Sequence, residues 1–519
     1  MSREKRALAR RIIFVVVLLF GLLLCCLGIA RVGGGGGFGG GGGSGGGGGY
    51  GGGGGGGGGG GSGELIALVV WMLLRHPTIG VPIILIVVAG AFLVGKSKAR
   101  ELRARQMRSA QLFRLGQATR QRKAIDAVRP LLLADDPNFS EILFLDFAQM
   151  IYTRFEQLRG TTDIEALRPY LTSGIFERLE SVAGHFAGSS FKVHSVIVGS
   201  ITLAEIVSAS DCWRLRCEAE TNYTESSAAA DGAVSETAWY TRTRMTFRRD
   251  KGVLSKGPEE IHTLGCPKCG SPTKLDVKGV CAFCGQAVRP GEFHWELVEI
   301  EELERMPRVQ VPLDLGGVEV GTELETVRDP VLEVKAKEFR MRYPGESLQH
   351  LVDRAKLVFE KLQQAWTDNN WEQARAFETD RLFQMHTFWM ERYREKGFKN
   401  VLEQIQVLKV TPVKLDSDAF YELATLRIKA SMLDYTLDKQ GKQVGGSNKL
   451  ARVFSEYWTF LRRAGFAPGE NKDTANCPSC GAPVKVSMAG RCEYCDANLT
   501  RGDFDWTLAK IEQDEVYTG

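Results

Sequence analysis

Histidine is scarce in this chain, with seven among 519 residues. His185 and His194 flank a Gly-Ser-Ser, and His386 falls on a helical stretch beside Phe383. None of these three is paired with a second ligand or base at a telling spacing, so each reads as a surface or satisfied core residue and not as a general base. Net charge is also small, +4, and unevenly spread. Spare cysteine is scarcer than the total of twelve suggests. Eight fall in two clusters, Cys25 and Cys26 lie in an apolar run, and only Cys212 and Cys217 remain. That distribution excludes a disulfide framework and places the folded part in a reducing compartment.

What the chain does have is a cysteine motif written twice. Cys266-Pro-Lys-Cys269-Gly and Cys281-Ala-Phe-Cys284-Gly are separated by eleven residues, as are Cys477-Pro-Ser-Cys480-Gly and Cys492-Glu-Tyr-Cys495-Asp. The offset is constant, 477 − 266 = 492 − 281 = 211, and it also carries Gly279 onto Gly490, Gly291 onto Gly502 and Trp295 onto Trp506. Each copy ends in Phe-x-Trp-x-Leu-x-x-Ile-Glu. In Cys-x-x-Cys a tight turn aims two sulfurs at one point, and glycine after the second cysteine suits it because it tolerates positive φ. Two such turns close a tetrahedral four-thiolate Zn²⁺ site with no open position, which makes it structural. A redox pair or a disulfide would need neither the doubling nor the fixed spacing. The expectation is two structural zinc ions, on Cys266, Cys269, Cys281 and Cys284 and on Cys477, Cys480, Cys492 and Cys495.

Both modules are acidic, with four Lys/Arg against six Asp/Glu over 263–302 and four against seven over 474–515. They should repel phosphate, which argues against nucleic acid as a partner. Phe293 and Trp295, and likewise Phe504 and Trp506, then read as pins holding each ribbon to its own domain.

The N-terminus is built for a membrane. Arg3, Lys5, Arg6, Arg10 and Arg11 precede a charge-free run from Ile12 to Ala30. This is long enough to span a bilayer, a cleaved signal peptide being the alternative. A nearly pure glycine tract, Gly33 to Gly63, follows; it has no apolar surface to bury. Leu65 to Leu74 and Ile79 to Val94 form a second apolar stretch, and Lys96 to Arg129 carries eleven Lys/Arg against Glu101 and Asp126. Such a basic flank fixes the downstream side as cytoplasmic at the plasma (inner) membrane, and it would also be drawn to anionic lipid, a plain solvated basic helix being the alternative.

The body reads as α+β written twice. After Asp136-Pro137-Asn138, Phe144, Phe147, Ala148, Ile151, Phe155 and Leu158 follow at helical spacing,. Short helices are expected at Asp163–Leu171, capped by Asp163, and at Ile175–Val182. Period-two strands come next. Trp213, Leu215, Cys217 and Ala219 alternate with charged residues, which puts Cys217 in the core and Cys212 facing away. Asn370 to Arg375 mirrors Asp163 to Arg168 at an offset of 207, so Arg168 recurs as Arg375; both read as solvated or helix-pairing. Tyr170, Trp239 and Tyr240 read as core or rim aromatics. The expected organisation is transmembrane segment or signal anchor 1–31, glycine tract 32–64, transmembrane segment 65–95, basic helix 96–129, α+β domain 130–262, zinc ribbon 263–303, linker 304–343, second α+β domain 344–468 and second ribbon 469–519. Residues 334–339 are expected to extend the second domain.

The stretch Asp135-Asp-Pro-Asn-Phe-Ser140, the helix Phe144 to Leu158, and Asp163-Ile-Glu-Ala-Leu-Arg-Pro-Tyr-Leu-Thr-Ser173 resemble the Tim-forty-four-like (Tim44-like) family. This family of bacterial and mitochondrial domains is named for the motor-tethering subunit of the mitochondrial inner-membrane import translocase. The resemblance covers about Pro130 to Gly252 and more weakly Pro344 to Gly465, where Ala376 replaces Pro169 and Glu378 replaces Leu171. It implies cone-shaped domains, helices packed into a strongly curved antiparallel sheet. It also implies a membrane-associated scaffold that docks proteins, possessing no catalytic residues. A small-molecule enzyme using a cone-fold pocket and an RNA- or ribosome-associated factor are the alternatives.

Overall fold

The computed structural model of the protein describes residues 116–159, 161, 164–186, 189–228, 234–258, 294–307, 322, 324–466, 475–487, 490–514 and 517–519. The apolar runs, the glycine tract and the first cysteine cluster lie outside the described residues. Among the described residues no helix is long and apolar enough to cross a membrane.

Helix α1 runs through 116–135, and α2 spans Glu141–Leu158. Ser140 starts α2 by accepting the Leu143 N–H on its hydroxyl at 3.3 Å, which satisfies one of the free first-turn donors,. Phe144, Phe147, Ala148, Ile151 and Phe155 form its buried face, as their spacing requires,. The next segment is a 3-10 turn, Glu165–Tyr170, and not an α-helix. Pro169 lacks the N–H that an α-helix would use. Asp163, expected as its cap, lies outside the described residues. Helix α3, Ser173–His185, follows. Strands β1 (Lys192–Ser208), β2 (Cys212–Ala228), β3 (Val234–Asp250) and β4 (Glu296–Pro307) form an antiparallel sheet in chain order.

The same order recurs in α4 (Leu332–Arg342), α5 (Leu348–Thr367), a 3-10 turn Trp371–Phe377, α6 (Asp380–Lys396) and strands β5 (Lys399–Ser417), β6 (Tyr421–Leu437), β7 (Gln443–Arg463) and β8 (Thr507–Gln513). These four strands also form an antiparallel sheet in chain order. The first strand of each sheet carries three register breaks against its neighbour. Bulges bend a strand and increase its twist, and this lets each sheet wrap its helices. In both halves the chain entering the last helix is tied to the fourth strand, Thr172 N–H to Leu297 O at 3.1 Å and Thr379 N–H to Leu508 O at 2.9 Å.

Two placements differ from the sequence expectation. The Trp-x-Leu-x-x-Ile-Glu segments are the fourth strands of the two sheets, so β4 crosses the expected boundary between ribbon and linker. Trp295 and Leu297, 2% and 0% exposed, turn inward at period two, as do Trp506 and Leu508,. Cys212 does not face solvent. It lies on the outer side of β2, yet it is buried, with Arg248 and Asp211 as hydrogen-bond neighbours of its thiol. Cys217 is in the core as expected. In the expected linker, α4 buries Leu332, Ala336 and Phe339 in the second core.

The halves share a boundary. Tyr421 and Leu461, on the outer face of the second sheet, belong to the first half's apolar cluster, and Leu423 and Ala509 pack against it. Beside them the Ser140 hydroxyl donates to Asp418 at 2.6 Å.

Candidate metal centre

The second cysteine cluster is a loop inserted between β7 and β8. Each knuckle closes with its own backbone bond, Gly481 N–H to Cys477 O at 2.8 Å and Asp496 N–H to Cys492 O at 2.9 Å. Both turning residues adopt positive φ, 73° at Gly481 and 61° at Asp496. Glycine meets that demand without strain, and aspartate is among the residues that tolerate it. The isolated bridge Val486↔Cys492 joins the two knuckles, and Arg491↔Asn498 closes the second across its own ends.

The four sulfurs lie within 4.8 Å of one another, with Cys477 Sγ to Cys495 Sγ at 3.8 Å and Cys480 Sγ to Cys492 Sγ at 4.0 Å. A tetrahedron with metal–sulfur bonds of about 2.3 Å has edges of about 3.8 Å. The cluster is therefore of the right size to hold a metal ion. Cys477 and Cys492 are buried and Cys480 and Cys495 face outward. The Ala497 N–H donates to Cys495 and holds its thiol down to about 7. Ala482 donates likewise to Cys480, but the neighbouring sulfurs raise that thiol to about 11. Cys266, Cys269, Cys281 and Cys284 lie outside the described residues.

The ribbon is seated on the helical layer. Thr500 Oγ1 donates to Asp380 Oδ1 at 2.9 Å, and Arg375 Nη2 donates to the same oxygen at 2.5 Å. Gly490 fits into this contact at φ 75°, where a Cβ would meet Thr500 Oγ1 at 2.1 Å. Val484, Val486, Leu499 and Phe504 close the apolar side of the sulfur cluster. Two residues after Phe504, Trp506 is fully buried in the sheet core under the Arg462 guanidinium, 4.7 Å from its ring. Arg462 is held in turn by Glu346 at 2.5 Å. The first half repeats this device, with Arg249 over Trp295 at 4.2 Å and paired to Asp136 at 2.6 Å. The expected pin is thus divided, Phe504 on the ribbon and Trp506 in the core.

The remaining sequence candidates divide. Arg168 pairs with Glu165 at 2.7 Å along its own turn, as expected, and lies over Phe176. Arg375 is not solvated; it is 2% exposed and lies over Phe383. Tyr170 and Tyr240 are buried, and Trp239 lies under Arg305. His194 sits exposed beside Ser195, and His185 packs on Phe186. His386 is paired after all. Its Nδ1 lies 2.7 Å from Glu378 Oε2, and Trp371 Nε1 donates to Glu378 Oε1 at 2.5 Å, all three residues being buried. The signal was present in the sequence: seven residues separate His386 from a glutamate standing where the first half has Leu171.

Comparison with known proteins places a family likeness on the second half. The Tim44-like domain model matches residues 333–474, from the start of α4 to just before Cys477. No curated protein matches the chain. Similar solved structures include the intermembrane space region of the chloroplast protein ARC6, at 10% identity over 32% of this chain and 98% of that one with a TM-score of 0.19. Another is an Ntf2-like protein involved in plasmid conjugation, at 8% identity over 68% of this chain and 93% of that one with a TM-score of 0.14.

Proposed function

We propose that the chain is a membrane-anchored scaffold of the plasma (inner) membrane. Two copies of one Tim44-like α+β module, each with a zinc ribbon inserted before its last strand, would face the cytoplasm from about residue 96. The modules dock proteins, and the basic stretch 96–129 engages anionic lipid; neither module is an enzyme. One observation carries this reading: a Tim44-like match at 333–474 in a chain that opens with two long charge-free runs and a basic flank. The doubled element order and the 211-residue offset support duplication. The sulfur spacing supports Zn²⁺, whose four-thiolate sites are closed and structural,. A fourth strand reached only through the ribbon explains why a metal would be kept there: its binding free energy also holds β8 in place.

The test is membrane fractionation of the full chain. It should stay in the membrane pellet through high salt and alkaline carbonate and leave only with detergent, whereas deletion of residues 1–95 should release it. Full release of the intact chain by salt alone would contradict the anchor.

A further inference from the structure

β7 is four residues longer than its counterpart β3, 21 against 17. β2 and β3 keep unbroken register from Cys212↔Asp250 to Ala228↔Val234. β6 and β7 slip twice. Val444 is extra between Thr436 and Leu437, and Leu433 alone faces residues 448–451. Both bulges turn an apolar side chain into solvent, Leu450 at 75% and Val444 at 36% exposure. The larger one is held in shape, because the Ser447 hydroxyl accepts the N–H groups of Lys449 and Leu450 at 3.2 and 2.8 Å.

A single exposed leucine is ordinary; the surroundings of this one are not. Lys399 pairs with Leu437 at the end of the sheet, and Lys439 and Lys442 lie in the adjoining turn. The Lys439 methylenes pack on Gly397, just beyond the basic last turn of α6. Lys449 stands in the bulge beside Leu450. All four lysines are exposed. Of the nearby acids, Asp438 accepts the N–H groups of Gln440 and Lys442 at 2.9 Å each, Asp434 is buried facing Arg452, and Glu403, exposed opposite Leu433, is hydrogen-bonded to Tyr435. Among the described residues, the equivalent end of the first half shows no such excess, with Lys192 and His194 against Glu225 and Glu236.

We propose that this end of the second half is a membrane-contact surface. Leu450 and Val444 enter the head-group layer of an anionic bilayer while the lysines around them meet lipid phosphates. An aliphatic tip within a ring of long cationic side chains is the pattern of interfacial insertion. A single-stranded nucleic acid would instead call for aromatic stacking platforms, and the two bulges present aliphatic side chains. The inference rests on the reading of the chain as membrane-anchored.

The test uses the full chain reconstituted into vesicles of phosphatidylcholine alone or with phosphatidylglycerol. A photoreactive amino acid replaces Leu450, or, as a control, Leu408, which is 50% exposed on β5. Illumination should attach lipid at 450 in the anionic vesicles, and not at 408 or in neutral vesicles. Lys439→Gln, Lys442→Gln and Lys449→Gln together should reduce the adduct at least about tenfold and leave the melting temperature unchanged. No lipid adduct at 450, equal adducts in both vesicles, or an adduct only to protein or nucleic acid in native membranes would overturn the proposal. Resistance to alkaline extraction is read on the same samples, so loss of the anchor is distinguished from failure of the contact.

Discussion

The buried trio Trp371, Glu378 and His386 occupies positions that the first half fills with Ile164, Leu171 and Leu179, all three at most 4% exposed. Since both halves share the fold around them, the first half supplies the apolar alternative for a perturbation. His386→Leu would leave the Glu378 side chain with the Trp371 N–H as its remaining side-chain donor among the described residues. Leaving a buried acceptor without this donor costs about 3 kcal/mol. His386 Nε2 itself has no hydrogen-bond partner among the described residues. Deleting it returns about 1 kcal/mol, for a net loss of about 2 kcal/mol. Glu378→Leu leaves two buried donors unpaired and costs about 2–6 kcal/mol. The double variant retains only the unpaired Trp371 N–H, about 1–3 kcal/mol. A double-mutant cycle should therefore give a coupling of at least about 2 kcal/mol. Native-state hydrogen exchange of the α6 amides in the detergent-solubilised full chain reads it directly. Additive losses in the two single variants would refute this account of the trio.

Gly490→Ala should unseat the ribbon, because a Cβ would sit 2.7 Å from Asp380 Oδ1 and closer still to Thr500. A loss of about 1–3 kcal/mol at this positive-φ position, with faster metal release to a chelator, is the expected result. Trp506→Ala should cost about 3–5 kcal/mol and deprotect the β8 amides to exchange. His294 is driven down to about 3 by burial and by the charges of Arg249 and Lys256. Its unfolded value is about 6.5, so the unfolded chain binds the extra proton and the first half should lose stability as pH falls from about 6.5 towards 3. His294→Phe, which keeps the stack on Phe147, should flatten that decline in a melting series against pH.

The fold was legible where one face of an element is buried. The helical stripe from Phe144 to Phe155 and the alternation from Trp213 to Ala219 both report burial directly in residue type. The ribbon's insertion was harder to see. Trp506 and Leu508 follow the cysteines so closely in sequence that they read as part of the same module, and only strand pairing assigns them to the sheet. The burial of Arg375 was hidden for a related reason. Its charge pattern matches that of half-buried Arg168, whereas Arg375 shares the Asp380 carboxylate oxygen with Thr500 of the ribbon, 125 residues downstream. The pairing of His386 with Glu378 crosses from one element to the next, so helical periodicity alone does not reveal it. At the metal centre itself the spacing alone sufficed to bring four sulfurs together.

The central claim is that the four-cysteine ribbon occurs twice and is metal-loaded in both copies. Elemental analysis of the full chain, purified in detergent without chelator, tests it most directly. Two zinc equivalents per chain are predicted, falling to one when Cys477→Ser and Cys480→Ser are combined. One equivalent or fewer in the unaltered chain, or no change on that double substitution, would contradict the account.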